Sequence, residues 1–222
     1  MLIQACYTDV ELSRRRLAIS LHTSVASLTY QTSKPTIHIV QHPDDPHAKR
    51  RESVYRATGC PVVTLFRDGW RLYGENWELP DGRKLISRID DDDVICRDFC
   101  LHTMRAAPDE GNAALIWPMG YVLWRDRAYL LKHPGNQFVS LMTNEQHDPH
   151  QQGHWLYHKE WTSVIVSRSP GWMWVRHGDA VTPTIAKYRR KPLRGIDSRR
   201  MPINVRAIVR ATIESGPGAG AY

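Results

Sequence analysis

KLISRIDDDDVI, residues 84–95, sets four consecutive carboxylates, Asp90, Asp91, Asp92 and Asp93, between two apolar runs. Leu85, Ile86 and Ile89 precede them, and Val94 and Ile95 follow at once. Like charges this close repel one another and are costly unless solvent or a cation offsets them. An acidic run that is merely solvated belongs in a polar stretch, whereas this one lies between segments with the apolar content of a core. Residues 84–89 read as a strand, and the aspartates mark its carboxyl end.

Upstream, residues 1–7 (MLIQACY) form a short buried strand. Residues 9–30 carry helical periodicity, with Leu12, Leu17, Leu21, Val25 and Leu28 on one face and arginines opposite. Residues 36–40 are a second strand after Pro35, 47–58 a polar helix-compatible stretch, and 61–66 a third strand closed by Asp68-Gly69. Residues 70–83 are irregular, and 94–106 read as a helix. This β-α-β-α-β-loop-β-α order predicts an α/β fold with a mostly parallel, doubly wound sheet and helices on both faces. Ligands of such sheets bind beyond the carboxyl ends of the strands, which is where the aspartates sit.

The second half changes character. Residues 113–117, 121–125, 128–131 and 138–142 are short, aromatic-rich strand candidates that suggest a smaller mixed sheet, with Asp126-Arg127 turning a hairpin. Residues 203–213 suit a final helix or strand. The expected organisation is one compact domain: a ligand-binding half at 1–107, a second half at 108–214 and a flexible tail at 215–222.

With 222 residues, 41% of them hydrophobic, the chain can bury a real core. No apolar run is long enough to span a membrane, and the N-terminus has no signal-peptide pattern. Cys6, Cys60, Cys96 and Cys100 form no C-x-x-C pair, so free thiols in a reducing cytoplasm are expected. The net charge of +7 favours an anionic partner: nucleic acid, a phosphorylated ligand or an acidic membrane surface. The positive charge gathers at residues 14–16, 49–51 and 187–210.

A helix N-terminus accommodates one or two aspartates, not four. A calcium loop spreads its ligands over a dozen residues and needs a glycine at its turn. A Mg²⁺ or Mn²⁺ site serving a phosphorylated ligand suits clustered acids at a strand end.

Here the sequence resembles a family. An apolar strand, then Arg88-Ile89-Asp90-Asp91-Asp92-Asp93, then a helix, looks like the Asp-x-Asp region of GT-A-fold glycosyltransferases, and of a rhamnosyltransferase family among them. The similarity continues through Phe138-Val139-Ser140-Leu141, a segment around His158, and an aromatic strand ending Arg176-His177-Gly178, so that it covers roughly residues 1–180. It implies a nucleotide-sugar donor, UDP- or dTDP-linked, bound by the 1–107 half. It implies that Asp90 meets the ribose or a metal-bound water, that Asp92 binds Mn²⁺ or Mg²⁺, and that Asp93 lies beside the sugar. Arg88 would position the acidic loop, Asp91 would line the donor site, and His177 would be a further metal or diphosphate contact. The extra acid at 91 leaves the register open between Asp90/Asp92 and Asp91/Asp93.

An inverting transfer needs a general base. Glu145, ahead of Asp148, follows the 138–142 strand and is the first candidate. The histidines at 147, 150, 154 and 158 match no closed zinc site. The tryptophans read mostly as core, with Trp117 to Gly120 a candidate acceptor-side loop. Arg189, Arg190, Lys191 and Arg194 suit contacts to a phosphate backbone. These basic residues favour DNA carrying hydroxymethylpyrimidines as the acceptor, a modification known for phage-type glycosyltransferases, which would place the enzyme in a host cytoplasm. A lipid-linked or surface polysaccharide is the alternative acceptor. A Mg²⁺-dependent phosphoryl-transfer enzyme and a non-catalytic nucleic-acid-binding module are the other classes.

Overall fold

The computed structural model describes residues 1–68, 71–73, 81–124, 126–145, 154–177, 193, 195–201 and 203–214. Among these, no helix is long and apolar enough to cross a membrane. The four strands expected in the first half are present: β1 (Leu2–Ala5), β2 (Ile37–Gln41), β3 (Val62–Asp68) and, after a short β4 (Arg71–Tyr73), β5 (Lys84–Asp90). β5, β1, β2 and β3 pair in parallel in that order, and β4 closes one edge antiparallel to β3.

The helix expected over 9–30 is two helices, α1 (Val10–His22) and α2 (Ser24–Thr29). Asp9 caps α1, its side chain accepting from the Leu12 amide at 2.7 Å. The break at Thr23 (φ −114°, ψ −99°) is held from outside the segment. The Thr23 and Ser24 hydroxyls both donate to the Asp91 carbonyl, at 3.1 and 2.7 Å. α3 (Ala48–Arg56) lies between β2 and β3. The helix expected over 94–106 begins only at Phe99, as α4 (Phe99–Ala106), because Val94–Ile95 is a two-residue strand, β6.

Alternation along the strands sorts the two faces of the sheet. Ile3, Ala5, Ile37, Ile39, Val62 and Ile89 pack with Val25 and Leu28 of α2 and Tyr55 of α3. Leu2, Val40, Leu65 and Ile86 face the other way. On that second face Leu141 stands opposite Ile86 and packs with Tyr157 of α5 (His154–Glu160), so helices cover both faces as expected.

The second half is shared between two sheets, where a single smaller one was expected. β10 (Ser140–Thr143), β7 (Ala113–Ile116) and β11 (Thr162–Ile165) extend the first sheet to eight strands, beyond β5. β10 runs antiparallel to β5, and the Ser87 and Ser140 hydroxyls meet at 2.6 Å across the seam. The second sheet has the order β6-β12-β8-β9, with β8 (Met119–Trp124), β9 (Arg127–Lys132) and β12 (Trp172–Arg176). A last helix, α6 (Val205–Glu214), packs beside α1.

Aromatic stacks join the two sheets. Phe138 lies on Trp172 at 5.0 Å and Phe99 on Trp117 at 5.2 Å. The Trp172 indole N–H donates to the Trp117 carbonyl at 2.7 Å, and that of Trp117 to the Thr103 hydroxyl at 3.0 Å. Trp117 is therefore core, and Met119 and Gly120 open β8; the expected acceptor-side loop is absent there. Two glycines make the packing possible: a Cβ on Gly120 would lie 2.1 Å from the Trp172 ring, and one on Gly171 2.1 Å from the Trp117 ring. Neither ring can retreat from a filled core, so Gly120→Ala is expected to cost about 1–3 kcal/mol. Urea unfolding would show this as a lower midpoint at unchanged slope.

On the second face of the sheet, burial pushes His38 down to about 4. The folded protein therefore keeps this imidazole neutral where the unfolded chain, titrating near 6.5, takes up a proton. Stability contributed here is complete above about pH 6.5 and is lost as pH falls toward 4. His38→Gln is expected to flatten the decline of Tm between pH 6.5 and 4.5 by about 2–4 °C. An unchanged slope would contradict it.

Candidate active site

The aspartates lie where the parallel strands end. β5 stops at Asp90, and the chain turns at once, the Asp93 amide donating to the Asp90 carbonyl at 3.1 Å. The turn divides the four carboxylates, Asp91 pointing inward and the other three toward one another. The Asp91 side chain is wholly buried, receiving Arg16 Nη2 at 2.6 Å, the Tyr7 hydroxyl at 2.9 Å and Arg51 Nη1 at 3.4 Å. Together with its carbonyl, held by α1 and α2, this makes Asp91 the anchor of the loop.

Asp92 Oδ2 receives Arg16 Nη1 at 2.6 Å and lies 2.8 Å from His177 Nε2, at the end of β12. Arg16 Nη1 is itself 2.7 Å from that same nitrogen. Unprotonated, the ring nitrogen accepts from Arg16; protonated, it donates to Asp92. Asp93 Oδ2 accepts from Gln137 Nε2 at 2.8 Å, and Oδ1 from the Val175 amide at 3.3 Å. Asp90 is the most open of the four, its side chain 37% exposed, with Arg88 Nη2 at 3.6 Å.

Burial works against every charge here, yet the carboxylates respond differently. It raises Asp91, with Arg16 pulling the other way. At Asp92 it is outweighed by the Arg16 guanidinium and the His177 hydrogen bond, which hold the carboxyl well below the usual range. Asp93 is driven well above that range by burial and by the neighbouring charges of Asp92 and Asp90.

Oxygen atoms of Asp90, Asp92 and Asp93 gather within 4.8 Å of one another. An all-carboxylate set is what Mg²⁺ or Mn²⁺ takes, and a divalent cation relieves the repulsion that raises Asp93. The residues therefore fit such an ion. The gathered pair is Asp90/Asp92, with Asp93 added, while Asp91 faces inward onto two arginines. Asp91 therefore points away from the group that Asp90, Asp92 and Asp93 form.

Glu145 lies elsewhere. β10 runs against β5, Ser140 beside Ser87 and Thr143 beside Lys84. Continuing past Thr143, the chain reaches Glu145 at the start of β5, separated from Asp90 by the length of that strand, about 20 Å. An exposed carboxylate there cannot serve as base for chemistry at the aspartates. Arg189, Arg190, Lys191 and Arg194 lie outside the described residues, as do His147, Asp148, His150 and Gly178.

Tyr7, Arg16, Arg51 and Gln137 were not singled out in the sequence. Arg16 carried a faint signal: it falls on the stripe of small residues Ser13, Ser20 and Ser24, all buried, where a long cation has room to lie inward. Two of the six basic residues at 14–16 and 49–51 are thus internal counter-charges, which lessens the positive surface that the composition suggested.

No family model matches this sequence, and no curated protein matches it. Among solved structures, S. aureus TarS overlaps it at 11% identity and a TM-score of 0.47, covering 79% of this chain and 36% of that one. This chain spans about a third of the length of that protein. So loose an overlap carries no argument, and the site rests on its own residues.

Proposed function

We propose that this chain is a metal-dependent glycosyltransferase that moves a sugar from a UDP- or dTDP-linked donor to an acceptor hydroxyl. The observation that carries the reading is the meeting of Asp90, Asp92 and Asp93 within 4.8 Å at the carboxyl end of β5, where α/β sheets bind their ligands. The GT-A resemblance of the 88–93, 138–141 and 172–178 segments supports it.

In this reading Asp90, Asp92 and Asp93 hold Mn²⁺ or Mg²⁺, which when bound offsets the charge growing on the departing nucleoside diphosphate. The protein's own part is to hold the carboxylates in place. Arg16 ties Asp92 to Asp91 through one guanidinium. Gln137 and the Val175 amide fix Asp93 from β12 and the segment before β10. His177 braces Asp92 from the second sheet.

A panel of nucleotide sugars with Mn²⁺ or Mg²⁺ tests the proposal. Metal-dependent release of nucleoside diphosphate is the expected result. Release of pyrophosphate, or cleavage of nucleic acid, would move the chain to phosphoryl transfer. Running the panel with hydroxymethylpyrimidine DNA and with a lipid-linked glycan separates the acceptors.

A further inference from the structure

We infer that the outer face of α6, with the neighbouring end of the second sheet, docks the protein on an anionic lipid surface. Val205, Val209 and Ile213 form a stripe four residues apart along α6, and Arg206 and Arg210 run beside it. With Asp126 of the β8–β9 turn they line a groove of about 330 Å³. The two valines are half-buried against the core, and the stripe opens to solvent at its end, Ile213 being 57% exposed. Among the described residues, neither Arg206 nor Arg210 has an ion-pair partner. Trp124 adds an aromatic ring 37% exposed, and the Arg127 side chain is 64% exposed.

This face lies near the site. β8 and β12 are parallel, with Trp124 beside Arg176, and the next residue, His177, touches Asp92. Trp124 and the Asp126 turn therefore sit at the end of the second sheet that carries the site. A surface docked there would bring its own hydroxyl-bearing molecules to the aspartates.

The chemistry favours lipid over the other anionic partners. A phosphate backbone is met by cations and hydrogen-bond donors, and an exposed isoleucine and an indole beside the arginines offer it nothing. A protein partner needs about 800 Å² on each side, more than three side chains supply. An anionic bilayer takes both parts at once: the arginine heads meet phosphate while Ile213 and the indole enter the headgroup boundary. The inference deepens the glycosyltransferase reading by placing the acceptor at a membrane, and rests on that reading for this step alone.

Sedimentation of the full chain with vesicles tests it. The protein is expected to bind phosphatidylcholine vesicles containing phosphatidylglycerol, to ignore phosphatidylcholine alone, and to release as salt rises. Arg206→Gln with Arg210→Gln should weaken binding about 25-fold, each charge being worth about fivefold. Ile213→Ser should weaken it about tenfold. Donor hydrolysis without vesicles and Tm should stay at wild-type values in both variants. Equal binding to both vesicle types, or to neither, would overturn the proposal. So would binding to a DNA duplex that needs the arginines but ignores Ile213→Ser, or a dimer in solution that Ile213→Ser dissociates. Because hydrolysis is read without lipid, failed docking with intact hydrolysis removes only this inference, and docking without hydrolysis removes only the catalytic one.

Discussion

Asp92→Asn is expected to lower metal-dependent donor hydrolysis by about two to three orders of magnitude while the protein stays folded. The amide has the shape of the carboxylate and keeps an oxygen for Arg16 Nη1, now 2.6 Å from Oδ2. What it loses is the charge that, with Asp90 and Asp93, makes the group a cation site. Calorimetric titration with Mn²⁺, without any donor, should show affinity reduced alongside activity. Asp90→Asn should act in the same direction, since Asp90 belongs to the same group. Asp91→Asn provides the contrast: its carboxylate faces Arg16, Arg51 and Tyr7, so its loss should register in stability before it registers in metal affinity. An Asp92→Asn protein with wild-type Mn²⁺ affinity and turnover would rule out the metal site.

Arg16→Met is expected to be the most destabilising single change at the site, by about 3–5 kcal/mol. One guanidinium meets Asp91, Asp92, Tyr7 and His177, and its side chain is 10% exposed. Methionine fills much of the volume but leaves two buried carboxylates 75 and 76 residues away in sequence without their shared counter-charge. Arg51, at 3.4 Å from Asp91, offsets only part of that. Against a typical total of about 5–15 kcal/mol, the loss would be visible as a much lower urea midpoint. Adding Asp91→Asn to Arg16→Met should restore stability, because the second change removes a charge that the first left unpaired. Arg16→Lys should recover little, since one ammonium cannot reach all four partners. If Arg16→Met unfolds within 1 kcal/mol of wild type, the guanidinium is not the counter-charge that holds the loop.

These two changes separate what residues 90–93 do. The run looked like four copies of one feature. Folded, it has two jobs: Asp91 anchors the turn inward, and Asp90, Asp92 and Asp93 face one another. Neighbours distant in sequence decide between them, and no reading of four identical residues in a row could have.

The sequence reading put the acids at a strand end, where β5 stops, and singled out His177, which meets Asp92 from the end of β12. It said nothing of Arg16, because an arginine among three in an exposed-looking helix has the same local signature whether it points to water or to a buried carboxylate. Glu145 shows the opposite failure. Following a strand candidate, it looked well placed, but position along the chain does not tell which way a strand runs. The antiparallel pairing of β10 on β5 carried it to the far end of the sheet.

By itself, the sequence determined what depends on local periodicity and local chemistry: the four first-half strands, the polar third helix, and acids stationed where β5 ends. The tertiary structure alone decided what depends on pairing across distance. It broke the first long helix at Thr23 by offering its hydroxyl the Asp91 carbonyl. It drew residues 94 and 95 out of a helix and into β6 by placing β12 alongside. It sent β7, β10 and β11 to extend the first sheet, and it sorted the aspartates by setting Arg16 and Arg51 against one of them. In each case the backbone or charge had local alternatives of similar energy, and the partner that settled it came from another part of the chain.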